Sequence, residues 1–261
     1  MFQQSRMQIL SAVFCFALHG GLDAMKARTC AEEPAASVSK AGAPSTEQRD
    51  NDRVAQLGNI RVGRVLFLGN SITLHGPSAA VGWSGNWGMA ASEREKDYAH
   101  VLINALAKML GRPPAVLIDN LADFERHYET YDASSRLKKH LAFKADLVIV
   151  AIGENVPALA SEQSRVAFKN SLARLLKMLK TSGNPTIVVR SCFWANKIKD
   201  DILKQACPEV GGIFVDIGEL GRDESNFARS ERSYAHAGVA AHPGDKGMKA
   251  IADAILGALK R

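Results

Sequence analysis

The chain has 261 residues, 46% hydrophobic and 23% charged, with a net charge of +6. These values are ordinary for a soluble globular protein and the length is ample for a buried core. No run of like charges is long enough for a nucleic-acid patch, so nucleic acid is not an expected partner, and only weak attraction to acidic polymers stays open.

The N-terminus reads as a targeting segment. Arg6 supplies a positive start, Ile9 to Leu18 an apolar stretch, and Ala24 and Ala27 small residues for cleavage. Residues 1–27 are therefore expected to be a signal peptide, and the protein to be exported to a periplasmic or extracellular space. The apolar run is short for a membrane span, and Arg28 before Cys30 argues against lipoprotein processing, so no stable membrane anchor is expected. In an oxidising compartment Cys192 and Cys207 would either pair or stay buried as free thiols. Residues 28–62 lack periodicity and read as a flexible linker.

From residue 63 to 261 strand-like and helix-like segments alternate. Val65–Leu68, Ala115–Ile118, Leu147–Ile152, Ile187–Val189 and Ile213–Val215 are short apolar runs, as strands covered on both faces should be. Between them, Tyr98, Leu102, Leu106 and Leu110 fall at helical spacing, as do Phe168, Leu172, Leu175 and Leu179. Helices are also expected over Ser134–Phe143 and Lys197–Gln205, and a last one carries Met248, Ile251, Ile255 and Leu259. The alternation predicts an α/β fold: a single flavodoxin-like domain with a five-stranded parallel sheet between two helical layers.

The chemistry concentrates after the strand ends. Gly69-Asn70-Ser71 follows the first strand and places a hydroxyl where ligands bind in open α/β sheets. Alone it is an ordinary turn. In order along the chain it is joined by Asp119-Asn120-Leu121-Ala122, Gly153-Glu154-Asn155 and His242-Pro243. This series resembles the SGNH (GDSL-like) hydrolase family over residues 62 to 261.

The resemblance implies a serine esterase. Ser71 would be the nucleophile, His242 its base, and the Ser71 amide and the Asn155 side chain the donors to an oxyanion. A third family donor, a glycine amide, falls on Ala122; Gly85 or Gly88 is an alternative. His236 is a rival base, placed second because it lacks the Pro and helix start that follow His242.

The family aspartate three residues before the histidine is replaced by Val239. Three substitutes stand open for orienting the imidazole: a backbone carbonyl near Val239, Glu154, or Asp245, with the carbonyl ranked first. Glu154 has a competing reading as the partner of Arg190 on the neighbouring strand.

Trp83, Trp87 and Trp194 all follow strand ends. They and Gly88 are candidate substrate-binding residues, because sugars stack on such rings; equally, the rings would pack their loops onto the sheet. Arg126, in Phe124-Glu125-Arg126, is a candidate for an anionic substrate group or a surface ion pair. The histidines and cysteines show no ligand spacing and no phosphate-binding glycine pattern occurs, so neither a metal nor a cofactor is expected. The expected substrate is a small-molecule or oligosaccharide ester, with an acetylated carbohydrate first. A lipid or lysophospholipid ester, an acyltransferase, and a carbohydrate-binding protein without turnover are the alternatives.

Overall fold

The computed structural model describes residues 55–261. The expected signal peptide (1–27) and the linker as far as residue 54 lie outside the described residues. The rest of the linker is corrected. Strands β1 (Gln56–Leu57) and β2 (Ile60–Arg61) form an antiparallel hairpin across Gly58, whose φ of 58° suits the tight turn. Leu57 and Ile60 pack against the core and Val62 is fully buried, so these apolar side chains order a segment whose composition alone reads as open chain.

Five parallel strands follow: β3 (Arg64–Gly69), β4 (Ala115–Asn120), β5 (Leu147–Ala151), β6 (Thr186–Arg190) and β7 (Ile213–Val215). Their order is β4-β3-β5-β6-β7, with Phe67 registered against Ile118 on one side and Ile149 on the other. This is the expected flavodoxin-like sheet. β3 is where the connections change direction, so the crevice for a ligand opens at its carboxyl end.

Alternate strand residues serve opposite faces. Leu66, Leu68, Val148, Val150 and Val189 meet Phe168, Leu172 and Leu203. Val65, Phe67, Ile149 and Val188 meet Tyr98, Leu102, Ile251 and Ile255. Helices α5 (Glu162–Thr181) and α6 (Lys197–Glu209) thus cover one face. Helices α1 (Tyr98–Leu110) and α8 (Asp245–Leu259) cover the other.

The remaining helices are short: α2 (Ala122–Arg126), α3 (Ala133–Arg136), α4 (Lys138–Ala142) and α7 (Ala237–Ala240). The single helix expected over 134–143 is thus two, broken at Leu137, whose side chain is fully buried. Cys192 and Cys207 are both buried free thiols, so the alternative of a disulfide between them is not realised. Among the described residues no helix is long and apolar enough to cross a membrane.

Candidate active site

The turn after β3 carries Ser71. The amides of Thr73 and Leu74 both donate to the Asn70 carbonyl at 2.9 Å, and the Ile72 amide donates to Asn70 Oδ1 at 3.2 Å. A side chain at Gly69 would collide with Thr73, so only glycine permits the chain to double back this closely. Thr73 Oγ1 in turn lies 2.8 Å from the Tyr98 hydroxyl in the buried layer beneath; burial pushes that phenol up to about 12.

Ser71 Oγ lies 2.8 Å from His242 Nε2, across 171 residues of sequence. The other ring nitrogen, Nδ1, lies 2.7 Å from the Gly238 carbonyl oxygen. A carbonyl only accepts, so Nδ1 carries the hydrogen, and in the neutral ring Nε2 is left as the acceptor for the serine hydroxyl. The carbonyl is available because α7 ends in a tight turn. The His242 amide bonds to Val239 O at 3.0 Å instead of closing a regular helical bond to Gly238. His242 is 9% exposed, and burial holds its pKa below the usual 6.5, a shift that the Gly238 hydrogen bond opposes.

The other two sites weighed for orienting the imidazole are therefore occupied elsewhere. Glu154 Oε1 accepts from Arg190 Nη1 at 2.6 Å and from the Phe193 amide at 3.0 Å, and Oε2 accepts from Asn70 at 2.7 Å. Both members of the ion pair are buried, as neighbouring strand ends allow. Burial raises the Glu154 carboxyl, but the Arg190 charge and these hydrogen bonds bring it below the ordinary value. Asp245 opens α8 and accepts from the amide and hydroxyl of Ser92, both at 2.7 Å, and from Arg232 at 3.1 Å.

Asn155 lies just past β5 and lines the same cleft as Ser71 and His242. Its Nδ2 donates to Glu125 Oε2 at 2.7 Å and its Oδ1 accepts from Arg126 at 3.3 Å. Ala122 lines the cleft too, but its amide donates to Asn120 Oδ1 at 2.8 Å and is already engaged. The expectation of Ala122 as a third oxyanion donor is corrected on that ground. The amide has gone to start α2, where no positive φ arises. The alternative at Gly88 fails similarly, since its buried amide donates to Asp97 at 3.1 Å.

The cleft has a volume of about 430 Å³ and includes His75, Met89, Asp123, Arg126, His236 and Gly238 in its lining. Arg126 is thus where the sequence places it. His236 is on the rim and caps α7 through the Gly238 amide at 3.1 Å, so it does not compete for Ser71.

The tryptophan expectation is corrected: the rings are not among the cleft-lining residues. Trp83 and Trp87 meet edge to face at 5.6 Å, with their indole N–H groups on the carbonyls of His75 and Ala91. They are the internal core of the loop, and Gly88 packs beneath it against Ile72 and Met248. Trp194 stands edge-on to His242 at 5.2 Å and donates to the Ala241 carbonyl at 3.1 Å, bracing the histidine loop.

Sequence reasoning passed over two residues that organise the site. Asn70 is fully buried, and its carboxamide joins Glu125 to Glu154. Glu125, also fully buried, gathers donors from Asn70, Gly153 and Asn155. The only signal in the sequence was a glutamate one turn into a helix that starts at the site.

No protein-family model and no curated protein sequence matches the chain. Solved structures do. A protein described as a GDSL-like lipase from Parabacteroides merdae superposes with a TM-score of 0.53 at 17% identity, over 77% of this chain and 97% of its own. A lipase/acylhydrolase from Enterococcus faecalis gives 0.50 at 14% identity, over 76% of this chain and 95% of its own. A two-domain esterase active on acetylated mannans gives 0.50 at 18% identity, over 76% of this chain but 50% of its own. The order of the strands, the turn after β3 and these neighbours lead to one conclusion: the chain has the fold of the SGNH (GDSL-like) hydrolases.

Proposed function

We propose that the protein is an exported serine ester hydrolase working through a Ser71–His242 dyad, with a carbohydrate acetyl ester as its substrate. The single observation that carries this reading is the line of contacts from Ser71 Oγ through the His242 ring to the Gly238 carbonyl. As Ser71 Oγ bonds to the acyl carbon, its proton passes to Nε2. The carbonyl oxygen, now an oxyanion, is met by the Ser71 amide and the free N–H of the Asn155 carboxamide. The imidazolium returns the proton to the departing alcohol oxygen as the C–O bond breaks. Water then repeats the sequence, releasing acid and restoring Ser71.

The Gly238 carbonyl does part of an aspartate's work. It fixes the tautomer and aims the ring, but it brings a dipole where a carboxylate would bring a full charge, so the imidazolium is less stabilised.

Support for a sugar ester comes from the polar rim of Asp123, Arg126, His75 and His236, and from the fold neighbour active on acetylated mannans. The tryptophans no longer contribute to that choice. A lipid chain would call for a longer apolar trough than Val81, Met89 and Val239 provide. Export rests on the N-terminal charge and apolar pattern alone.

The test is hydrolysis of p-nitrophenyl acetate and of acetylated oligosaccharides by the full chain beside Ser71→Ala and His242→Ala. Both variants should fall to background while keeping the wild-type circular dichroism, and a fluorophosphonate should label Ser71. Turnover equal to that of Ser71→Ala, with saccharide binding retained, would make the protein a carbohydrate-binding member of the fold.

A further inference from the structure

We propose that Glu125 is a positioning residue for the oxyanion site, which together with Arg126 locks the Asn155 carboxamide in the one orientation that turns an N–H into the cleft. The proposal rests on the ester-hydrolase reading and adds two residues to it.

The geometry has three parts. First, Glu125 is fully buried and its carboxylate is saturated: Oε1 accepts from the Gly153 amide at 2.5 Å, the Asn155 amide at 3.3 Å and Asn70 Nδ2 at 3.1 Å. Oε2 accepts from Asn155 Nδ2 at 2.7 Å. These donors come from the nucleophile turn and from the segment after β5, so one carboxylate joins the two halves of the oxyanion site.

Second, Arg126 donates to Asn155 Oδ1 at 3.3 Å. A carboxylate only accepts and a guanidinium only donates, so consecutive residues of α2 fix which end of the amide is nitrogen. One Nδ2 hydrogen is committed to Glu125, and the second is left for the cleft that Asn155 lines. Third, the cost is visible. Burial and the neighbouring Glu154 carboxylate both push the Glu125 carboxyl above its ordinary range. A side chain kept ionisable in that setting, with four donors aimed at it, is an expensive way to fill core space that a leucine or methionine would fill.

Glu125→Gln isolates the role. Glutamine has the same shape but one acceptor oxygen and an NH₂. If its oxygen keeps Gly153, its NH₂ opposes Asn155 Nδ2, donor to donor, and Asn155 relaxes only by rotating its nitrogen toward the Arg126 guanidinium. Loss of one oxyanion donor costs about 10²–10³ in kcat, so Glu125→Gln should cost about 10² with little change in KM.

The discriminating measurement is the double variant. If Glu125 acts through Asn155, adding Glu125→Gln to Asn155→Ala should lower kcat less than about threefold further, because coupled residues are not additive. Independent multiplication of the two losses would overturn the proposal, as would wild-type kcat in Glu125→Gln.

A readout separate from turnover is the side-chain NH₂ pair of Asn155 in ¹H–¹⁵N spectra, identified by its loss in Asn155→Ala. The proton bonded to the carboxylate should lie far downfield in the wild type and move upfield in Glu125→Gln. An unmoved pair refutes the lock even in a protein that turns over no ester, whereas background turnover with a moved pair refutes only the hydrolase reading. If Glu125→Gln does not fold, Arg126→Met decides. It changes an exposed side chain, and it should shift the same NH₂ pair and lower kcat with KM for the neutral ester unchanged. No effect on either overturns the proposal.

Discussion

Glu154→Gln separates a triad acid from a buried ion pair. The change keeps shape and removes one charge. In the wild type that charge faces Arg190 at 2.6 Å, with side-chain exposures of 2% and 0%. Nη1 also donates to the Ser191 carbonyl at 2.8 Å, while Nε and Nη2 have no hydrogen-bond partner among the described residues, so the charge of Arg190 is met by Glu154. Breaking such a pair by removing one partner costs about 3–5 kcal/mol. The lower end applies, because losing Glu154 also relieves the repulsion on Glu125. For a domain of roughly 200 residues, about 3 kcal/mol corresponds to a fall in Tm of about 6–12 °C.

The assay is thermal denaturation at neutral pH beside kcat measured well below the transition. Turnover per folded molecule should fall far less than the ~10⁴ seen when a true triad aspartate is neutralised. The pH dependence has a definite sign. The Glu154 carboxyl is held below its ordinary 4.5, so its stabilisation is complete above that value and is lost as pH falls through the folded pKa. The Tm gap between wild type and variant should therefore narrow below pH 4.5. An unchanged Tm at neutral pH would refute the ion-pair reasoning, and a kcat loss near 10⁴ would make Glu154 the acid and refute the dyad.

Two other predictions follow from the same geometry. The profile of kcat/KM should rise with pH through a midpoint below 6.5, because burial disfavours the protonated His242 and only the neutral ring takes the serine proton; a midpoint clearly above 6.5 would reveal a carboxylate on the ring. Trp83→Ala should destabilise the fold by about 3–5 kcal/mol in chemical denaturation, with KM for a small ester unchanged, since the ring fills the loop core. A selective loss of saccharide binding at full stability would return that ring to the cleft.

The sequence by itself determined the sheet, because parallel strands covered on both faces must be short continuous apolar runs, and Leu147–Ala151 is such a run ahead of the amphipathic helix Glu162–Thr181. It also determined the order of the site segments, because Ser71, Ala122 and Asn155 each follow a strand end and His242 stands just before the last helix. It did not determine how their side chains divide the work. Trp83 and Trp87 look alike as cleft walls or as loop core until His75 and Ala91 are seen to take their N–H groups. The Ala122 amide is a free donor until Asn120 takes it. Which group meets His242 Nδ1 depends on a helix end tightening by one residue to leave the Gly238 carbonyl free, a difference that Ala237-Gly238-Val239-Ala240 does not encode locally. Glu125 is one glutamate in a short helix until the fold brings Asn70 and Asn155, 85 positions apart in the chain numbering (155 − 70), onto the same carboxylate. Apolar periodicity is written along the chain, whereas hydrogen-bond partnership across it is fixed only when packing leaves each buried polar group a single place to go.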